Sequence, residues 1–157
     1  MIDNVDFEML LTETSKPRVT LIPAARIPER MLEDARRDRF LGPDVVHADR
    51  SMTGIMYGEK LVGFLTPRVN DGGWWRTGAI YVDKKYRGIG IGGAAIGLFF
   101  SDKKKGLALV EPENAASRSA FLKAGFTIDK RVSLQDGGGP KVEYDLLRLE
   151  RKWVSST

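Results

Sequence analysis

The chain has 157 residues, a formal net charge of +4 and a pI of about 9.4, with 42% hydrophobic and 29% charged residues. These values are typical of a soluble globular protein, and the positive charge suits an anionic ligand. Cysteine is absent and His47 is the single histidine, which excludes disulfides, thiol nucleophiles and thiolate metal sites and argues against zinc. We therefore predict no metal.

The sequence predicts a single domain over residues 1–157, with 1–17 and 151–157 as peripheral segments. Its first residues are acidic and lack the positive start of a signal peptide. The longest apolar run is too short to span a membrane. We therefore expect a cytoplasmic protein without a membrane partner.

Apolar periodicity and turn residues predict a β-α-β-β-β-α-β-α-β-β order of elements. Pro28 stands at the first position of the first helix, a place that proline favours. That helix has an apolar stripe formed by Ile27, Met31, Leu32 and Ala35. The predicted strands cover residues 19–22, 52–57, 61–69, 74–83, 107–110, a segment beginning at Phe126, and 142–149.

Three predictions concern which side chains face the core. Trp74 and Trp75 are adjacent in a predicted strand, so at most one can face the core and the other is exposed. In the helix after Gly92, the predicted apolar face consists of Ile91, Ala94, Ala95, Leu98 and Phe99. In the last strand, Val142, Tyr144 and Leu146 alternate with Glu143 and Asp145, which predicts that the two acids lie on a wet face.

Residues 79–93 form a predicted strand, a basic turn and a glycine-rich entry to a helix. Glycines let the backbone approach a ligand, and the first helical N–H groups attract phosphate. Lys84, Lys85 and Arg87 add positive charge beside the turn. The spacing matches neither the P-loop nor the dinucleotide fingerprint. Taken alone, the glycines are also compatible with a simple turn.

The spacing Arg87-x-x-Gly90-x-Gly92 resembles the acyl-CoA binding turn of the GNAT (Gcn5-related N-acetyltransferase) superfamily. The preceding Ile80-x-Val82 is similar to the fourth strand of that family. A second signature follows about 20 residues later. It runs from Asn114 through Ser117 to Gly125-Phe126 and is similar to the family's Asn-x-x-Ala/Ser…Gly-Phe helix.

This resemblance implies an α/β sandwich with a mixed, mostly antiparallel sheet of about seven strands and helices on both faces. It further implies that acetyl-CoA lies in a gap between the strands 79–83 and 107–110. Backbone groups near Val82 would pair with pantetheine and hold the oxyanion, while Asn114, Ser117 and Phe121 would line the thiol end. The pyrophosphate would be held by amides of the turn at Arg87, Gly88, Gly90, Gly92 and Gly93.

Two departures from the family pattern affect the chemistry. Phe121 occupies the position where the family often has a tyrosine general acid. A thiol with a pKa of roughly 8.5 can leave without full protonation, so this change weakens the mechanism without excluding it. Residues 72–82 contain no carboxylate to act as the usual base. The base lies elsewhere, acts through water or is unnecessary, and Tyr81 and His47 are the candidates.

The predicted function is an N-acetyltransferase that moves an acetyl group from acetyl-CoA to a primary amine on a small molecule, peptide or protein. The enzyme is expected as a monomer or homodimer. One alternative is a transferase that modifies DNA bases, because phage enzymes of the Mom type are similar to this superfamily and the chain is basic. The other alternative is a non-catalytic module that binds CoA or nucleic acid.

Overall fold

The computed structural model describes residues 18–23, 25–37, 52–135 and 137–154. Within these ranges, a 3-10 turn at Lys84–Tyr86 lies between the strand Ile80–Val82 and the helix Ile91–Phe100. The strands and helices are β1 (Val19–Pro23), α1 (Glu29–Arg37), β2 (Thr53–Tyr57), β3 (Lys60–Leu65), β4 (Arg68–Val69), β5 (Trp75–Arg76), β6 (Ile80–Val82), α2 (Ile91–Phe100), β7 (Lys105–Val110), α3 (Ala115–Lys123), β8 (Thr127–Gln135) and β9 (Lys141–Glu150).

The strands form two sheets with the orders β1-β2-β3-β6 and β4-β5-β7-β9-β8. Neighbouring strands in both sheets are antiparallel, except that β5 pairs parallel to β7 through Trp75 and Gly106. The predicted mixed α/β architecture is confirmed. The described ranges hold nine strands rather than about seven because two of the predicted strands are divided.

The predictions of single strands over 61–69 and 74–83 are wrong. Thr66 interrupts the first, and its Oγ1 accepts a 2.7 Å hydrogen bond from the Ala79 amide in the second. Gly78 has φ +64°, and a Cβ there would lie 2.1 Å from the Thr66 carbonyl oxygen. This close crossing directs β3 and β6 into one sheet and β4 and β5 into the other, so β6 does not pair with β7.

Helices cover both faces of the first sheet. On one face, α1 buries Met31 and Ala35 in a cluster with Met52, Phe64 and Tyr81. On the other face, α2 and α3 pack over a larger cluster that includes residues of β2, β3, β7 and β9. No helix in the described ranges is long and apolar enough to cross a membrane.

The predicted apolar face of α2 is partly wrong. Ala94 and Leu98 are exposed, although both were expected in the core. The buried residues of α2 are Ile91, Ala95, Ile96, Phe99 and Phe100. Relative to the predicted orientation, α2 is rotated about its axis because Phe100 packs edge-on against Phe126, with ring centroids 4.7 Å apart. Phe126 lies outside α2, so the sequence of the helix alone does not predict this contact.

The predicted wet face of β9 is also wrong for Asp145, which is 7% exposed. Asp145 shares a buried face of β9 with Leu147 and Leu149, and its carboxylate meets Arg118 at 3.4 Å and Arg131 at 3.2 Å. A buried carboxylate needs such partners. The opposite face of β9, which includes the half-buried Tyr144 and Leu146, is therefore the outer one.

Trp74 and Trp75 take different environments at β5. Trp75 packs edge-on against Phe99 of the core, with centroids 6.1 Å apart. The Trp74 ring lies under the guanidinium of Arg148 at 4.7 Å and near the Lys105 ammonium at 5.3 Å. Trp74 is half-buried beneath these cations, so the prediction that one of the two tryptophans is exposed is wrong.

Candidate active site

The glycine turn between β6 and α2 exposes backbone to open space. Gly88 and Gly90 have φ +84° and +87°, a conformation that residues with side chains rarely adopt. A Cβ built at either position would meet nothing within 4 Å. Backbone conformation, rather than a steric limit inside the protein, therefore requires these glycines.

The N-terminus of α2 has no side-chain cap. Gly90 is the N-cap residue and makes no side-chain hydrogen bond, and the Ala94 amide is bonded back to the Gly90 carbonyl at 3.0 Å. The amides of Ile91, Gly92 and Gly93 precede that first helical bond and have no partner one turn earlier. Amides in this position, at the positive end of the helix dipole, can bind an anion.

A cavity of about 360 Å³ lies over this helix start, between β6 and the first turn of α3. It contains eight of the nine residues that sequence predicts for the cofactor, with Phe121 as the exception. Those eight are Val82, Arg87, Gly88, Gly90, Gly92, Gly93, Asn114 and Ser117. The structure brings these residues together, and their roles toward a cofactor stay predictions.

A second cavity, of about 730 Å³, lies between β6 and β7, the two strands that do not pair. It shares Ile80, Asn114 and Ser117 with the first cavity, so the two cavities adjoin, and together they are called the cleft. Phe121 lines it from the α3 side, and Tyr144 lines it from the outer face of β9. The cleft therefore opens toward both faces of the sheet.

The backbone of Val82 forms an edge of this cleft. The Asp83 amide donates a 2.7 Å hydrogen bond to the Val62 carbonyl of β3. Hydrogen-bonded positions alternate along an antiparallel pair, so the N–H and C=O of Val82 point away from β3. The Val82 carbonyl accepts a 2.6 Å hydrogen bond from Arg87 Nε. β6 thus presents backbone donors and acceptors to the side where β7 stands apart.

Asn114 joins the two cavities at the start of α3. Its Oδ1 accepts a 3.1 Å hydrogen bond from the Ser117 amide, which makes it the N-cap predicted from sequence. Gly125, with φ +105°, follows the other end of α3 as predicted.

The sequence comparisons decide the family. A model of the acetyltransferase (GNAT) family matches residues 17–126, which is most of the chain. This chain belongs to the GNAT acetyltransferase family. The predicted family and the predicted class of enzyme, a GNAT-type N-acyltransferase, are thereby confirmed. No curated protein sequence matches the chain.

Solved GNAT structures share the fold at low sequence identity. A Bacillus subtilis acetyltransferase in complex with CoA superposes with a TM-score of 0.61 at 14% identity, covering 87% of this chain and 99% of its own. A GNAT acetyltransferase from Elizabethkingia anophelis with acetyl-CoA bound gives 0.58 at 18%, covering 85% and 98%. Arabidopsis thaliana Naa50 with the bisubstrate analogue CoA-Ac-MVNAL gives 0.53 at 18%, covering 85% and 99%.

Replacing Asn114 with Ala in this GNAT protein should weaken both the fold and cofactor binding. Loss of the cap should cost about 1 kcal/mol of unfolding free energy, or about 2–4 °C in Tm, because the Ser117 amide loses its acceptor. CoA affinity should fall as well, because Asn114 lines both cavities. Thermal melting and CoA titration measure the two effects.

Asn70→Ala is the matched control for Asn114→Ala. Asn70 Oδ1 accepts 3.0 Å hydrogen bonds from the amides of Gly72 and Trp74, in a turn that lines neither cavity. This variant should lose stability and keep its CoA affinity. Equal CoA affinities for the two variants would contradict a cofactor role for Asn114.

Of the two predicted catalytic residues, the structure describes only Tyr81, and it places Tyr81 outside the cleft. Tyr81 is 1% exposed and stacks on Phe64, with centroids 5.5 Å apart. Its neighbours Ile80 and Val82 line the cleft, so the Tyr81 ring points to the opposite face of β6. Its role as a base stays a prediction that this placement does not favour. His47 lies outside the described residues.

Sequence reasoning missed four polar side chains of the second cavity, namely Arg76, Thr77, Glu111 and Tyr144. The sequence did contain an indication for Glu111, because this residue directly follows the predicted strand 107–110, which forms one wall of the predicted CoA gap. Tyr144 was assigned to the wrong face of β9. Within the described ranges, His, Asp and Glu side chains form no group of three that could hold a metal ion.

Proposed function

We propose that this protein transfers an acetyl group from acetyl-CoA to a primary amine by direct attack in a ternary complex. The supporting observation is the cleft made of the two adjoining cavities, which begins at the uncapped start of α2 and ends between β6 and β7. One end suits an anionic group and the other gives access from the second face of the sheet. The CoA complexes of the solved relatives support the same assignment.

The residues of the first cavity fit the phosphates of CoA. The amides of Ile91, Gly92 and Gly93 would hold the pyrophosphate, with the helix dipole favouring its charge. Arg87 lines the cavity and Lys84 and Lys85 stand exposed in the adjoining turn, where they add positive potential. The absence of side chains at Gly88 and Gly90 keeps this surface open.

The edge of β6 fits the pantetheine arm, because pantetheine carries amides that can pair with the Val82 backbone. Arg87 Nε already donates to the Val82 carbonyl, so this carbonyl becomes available only when the guanidinium turns away. Asn114 and Ser117 stand where the two cavities meet and would lie beside the thiol end. The bound cosubstrate supplies an activated thioester.

Rate acceleration would come mainly from positioning. Holding the amine and the thioester side by side converts a bimolecular reaction into an effectively unimolecular one. The Val82 N–H points into the cleft and would stabilise the oxyanion that forms when the amine attacks. The amine would enter the second cavity from the outer face of β9, past Glu111 and Tyr144.

A peptide or small-molecule amine is the acceptor that the structure favours over nucleic acid. Several cations that contribute to the basic charge of the chain are engaged within the protein. Lys103 Nζ lies 2.6 Å from Asp102 and over the rings of Trp75 and Phe99. Arg148 lies 3.7 Å from Asp129. Naa50 was solved with a peptide-based analogue, which supports testing free amino termini first.

Release of CoA thiol from acetyl-CoA in the presence of an acceptor tests this proposal directly. The chain has no cysteine, so a thiol-reactive dye reports CoA without background from the protein. The panel consists of glycinamide, a pentapeptide with a free amino terminus, spermidine, and a lysine peptide with a blocked amino terminus. At least one should be acetylated, with the product confirmed by mass. Saturable acetyl-CoA binding without transfer to any of them would contradict the proposal.

A salt series with a fluorescent DNA duplex tests the alternative partner. Contact with DNA phosphates would make log affinity fall linearly with log salt, by about 0.9 per phosphate contacted. We expect no such steep dependence. Steep salt dependence that CoA abolishes would contradict the assignment of the basic turn to CoA alone.

A further inference from the structure

Two titratable side chains, Glu111 and Tyr144, line the second cavity. β7 and β9 are antiparallel, and the last pair in their register is Val110 with Asp145. Glu111 directly follows β7 and Tyr144 directly precedes Asp145, so continuing the register by one residue sets Glu111 opposite Tyr144. Directly opposed residues point to the same face, with Cβ atoms about 4.5–5.5 Å apart. The carboxylate and the phenol can therefore reach each other and the same space.

Neither side chain is committed to another partner among the described residues. The Glu111 carboxylate has no ion pair there, and the Tyr144 hydroxyl has no hydrogen bond there. The neighbouring carboxylate of Asp145 points to the other face and is held by Arg118 and Arg131. Because side chains alternate between the two faces of β9, the Asp145 carboxylate has a structural role on one face and the Tyr144 side chain lines the cleft on the other.

Acetyl transfer is accelerated by a group that takes a proton from the amine and by a group that protonates the sulfur. Phe121 lines the same cavity but has no hydroxyl, and residues 72–82 have no carboxylate. We propose that Glu111 and Tyr144 form the proton-transfer pair of this reaction, with Glu111 as general base and Tyr144 as general acid. This inference rests on the proposed function.

The protons balance over one turnover. The amine nitrogen forms a bond to the acetyl carbon and gives a proton to the Glu111 carboxylate. The bond from the acetyl carbon to sulfur breaks, and the thiolate takes the hydroxyl proton of Tyr144. Glu111 then returns its proton to the Tyr144 phenolate across the register. The products are the amide and CoA thiol, and both side chains regain their starting states.

The test compares Glu111→Gln, Tyr144→Phe and the double variant in the thiol-release assay, using the fastest acceptor of the four-member panel. We expect kcat to fall about 100-fold in each single variant, near the low end for acid–base catalysis because the CoA thiolate is a fair leaving group. The KM for acetyl-CoA and the Tm should change little. The double variant should be no slower than the slower single variant, because the two residues act as a unit.

Matched controls remove the same chemical groups outside the cleft. Glu113→Gln removes a carboxylate two residues from Glu111, and Tyr57→Phe removes another phenol; neither residue lines either cavity. Both variants should keep the wild-type kcat. In the Tyr144→Phe background, Phe121→Tyr should restore part of the lost rate, since it supplies a phenol to the same cavity.

Two results would overturn the pair. One is a kcat within twofold of wild type for either single variant, and the other is a double variant whose loss equals the product of the two single losses. If wild type binds no acetyl-CoA and acetylates no panel member, the proposed function fails and the pair fails with it. Wild-type turnover with unaffected single variants overturns the pair alone.

Discussion

Replacing Gly90 with Asp should lower CoA affinity by about 100-fold, from the micromolar range expected for wild type. A carboxylate about 4 Å from a phosphate repels it by roughly 4 kcal/mol at the effective dielectric of a protein surface, and exposure to solvent reduces this value. At an N-cap position, Asp would also accept hydrogen bonds from the amides of Gly92 and Gly93. Isothermal titration with CoA measures the loss.

Gly138→Asp provides the matched control for Gly90→Asp. Gly138 has φ +85°, against +87° for Gly90, and a Cβ at either position meets nothing within 4 Å. Both variants therefore carry the same backbone strain and the same added charge, but Gly138 precedes β9 and lines neither cavity. Equal losses of CoA affinity in both variants would show that the effect is not local to the turn.

Gly63→Ala should destabilise the protein by about 3 kcal/mol, at the upper end of the range for overpacking substitutions. A Cβ at Gly63 would lie 2.1 Å from the Tyr81 carbonyl oxygen and 3.1 Å from the Val82 Cα. These are backbone atoms of β6, so no side-chain rotation can relieve the contact. The urea midpoint should fall, and CoA affinity should fall with it, because β6 forms a wall of the cleft.

Gly97→Ala should have the opposite effect on stability. Gly97 lies inside α2, and a Cβ there meets nothing within 4 Å. Alanine is favoured over glycine in a helix interior by roughly 0.8–1 kcal/mol, so the urea midpoint should rise. If Gly63→Ala proves as stable as Gly97→Ala, then β3 and β6 do not approach each other as closely as described.

The cofactor side of the site was predictable from sequence because its signals are local. Gly88 and Gly90 are required by their own backbone conformation, and Asn114 caps the helix that follows it directly. Such features depend on a few consecutive residues, so their spacing along the chain carries the information. The eight predicted residues that line the first cavity follow from these two turns.

The orientation of β9 was not predictable from its own pattern. Alternation with period two places Tyr144 and Asp145 on opposite faces but does not say which face is inside. Both faces of β9 carry apolar residues, so hydrophobicity does not decide. The decision comes from Arg118 in α3 and Arg131 in β8, which provide a buried carboxylate with partners. That information lies elsewhere in the chain.

The division of the predicted strands has the same origin. Nothing near Gly78 alone requires β5 and β6 to separate, because a glycine inside a strand has several structural uses. The separation depends on Thr66, which is 12 residues earlier and bonds the Ala79 amide through its side chain. The gap between β6 and β7 depends on this contact between Thr66 and Ala79. The second cavity was therefore less predictable from the sequence than the first cavity, which lies at the glycine turn.

A crystal structure of the protein with CoA tests the central claim most directly. We expect the pyrophosphate within hydrogen-bonding distance of the amides of Ile91, Gly92 and Gly93, and the pantetheine arm between β6 and β7 alongside Val82. CoA bound elsewhere on the protein, with the cleft between β6 and β7 empty at saturating concentration, would contradict the account.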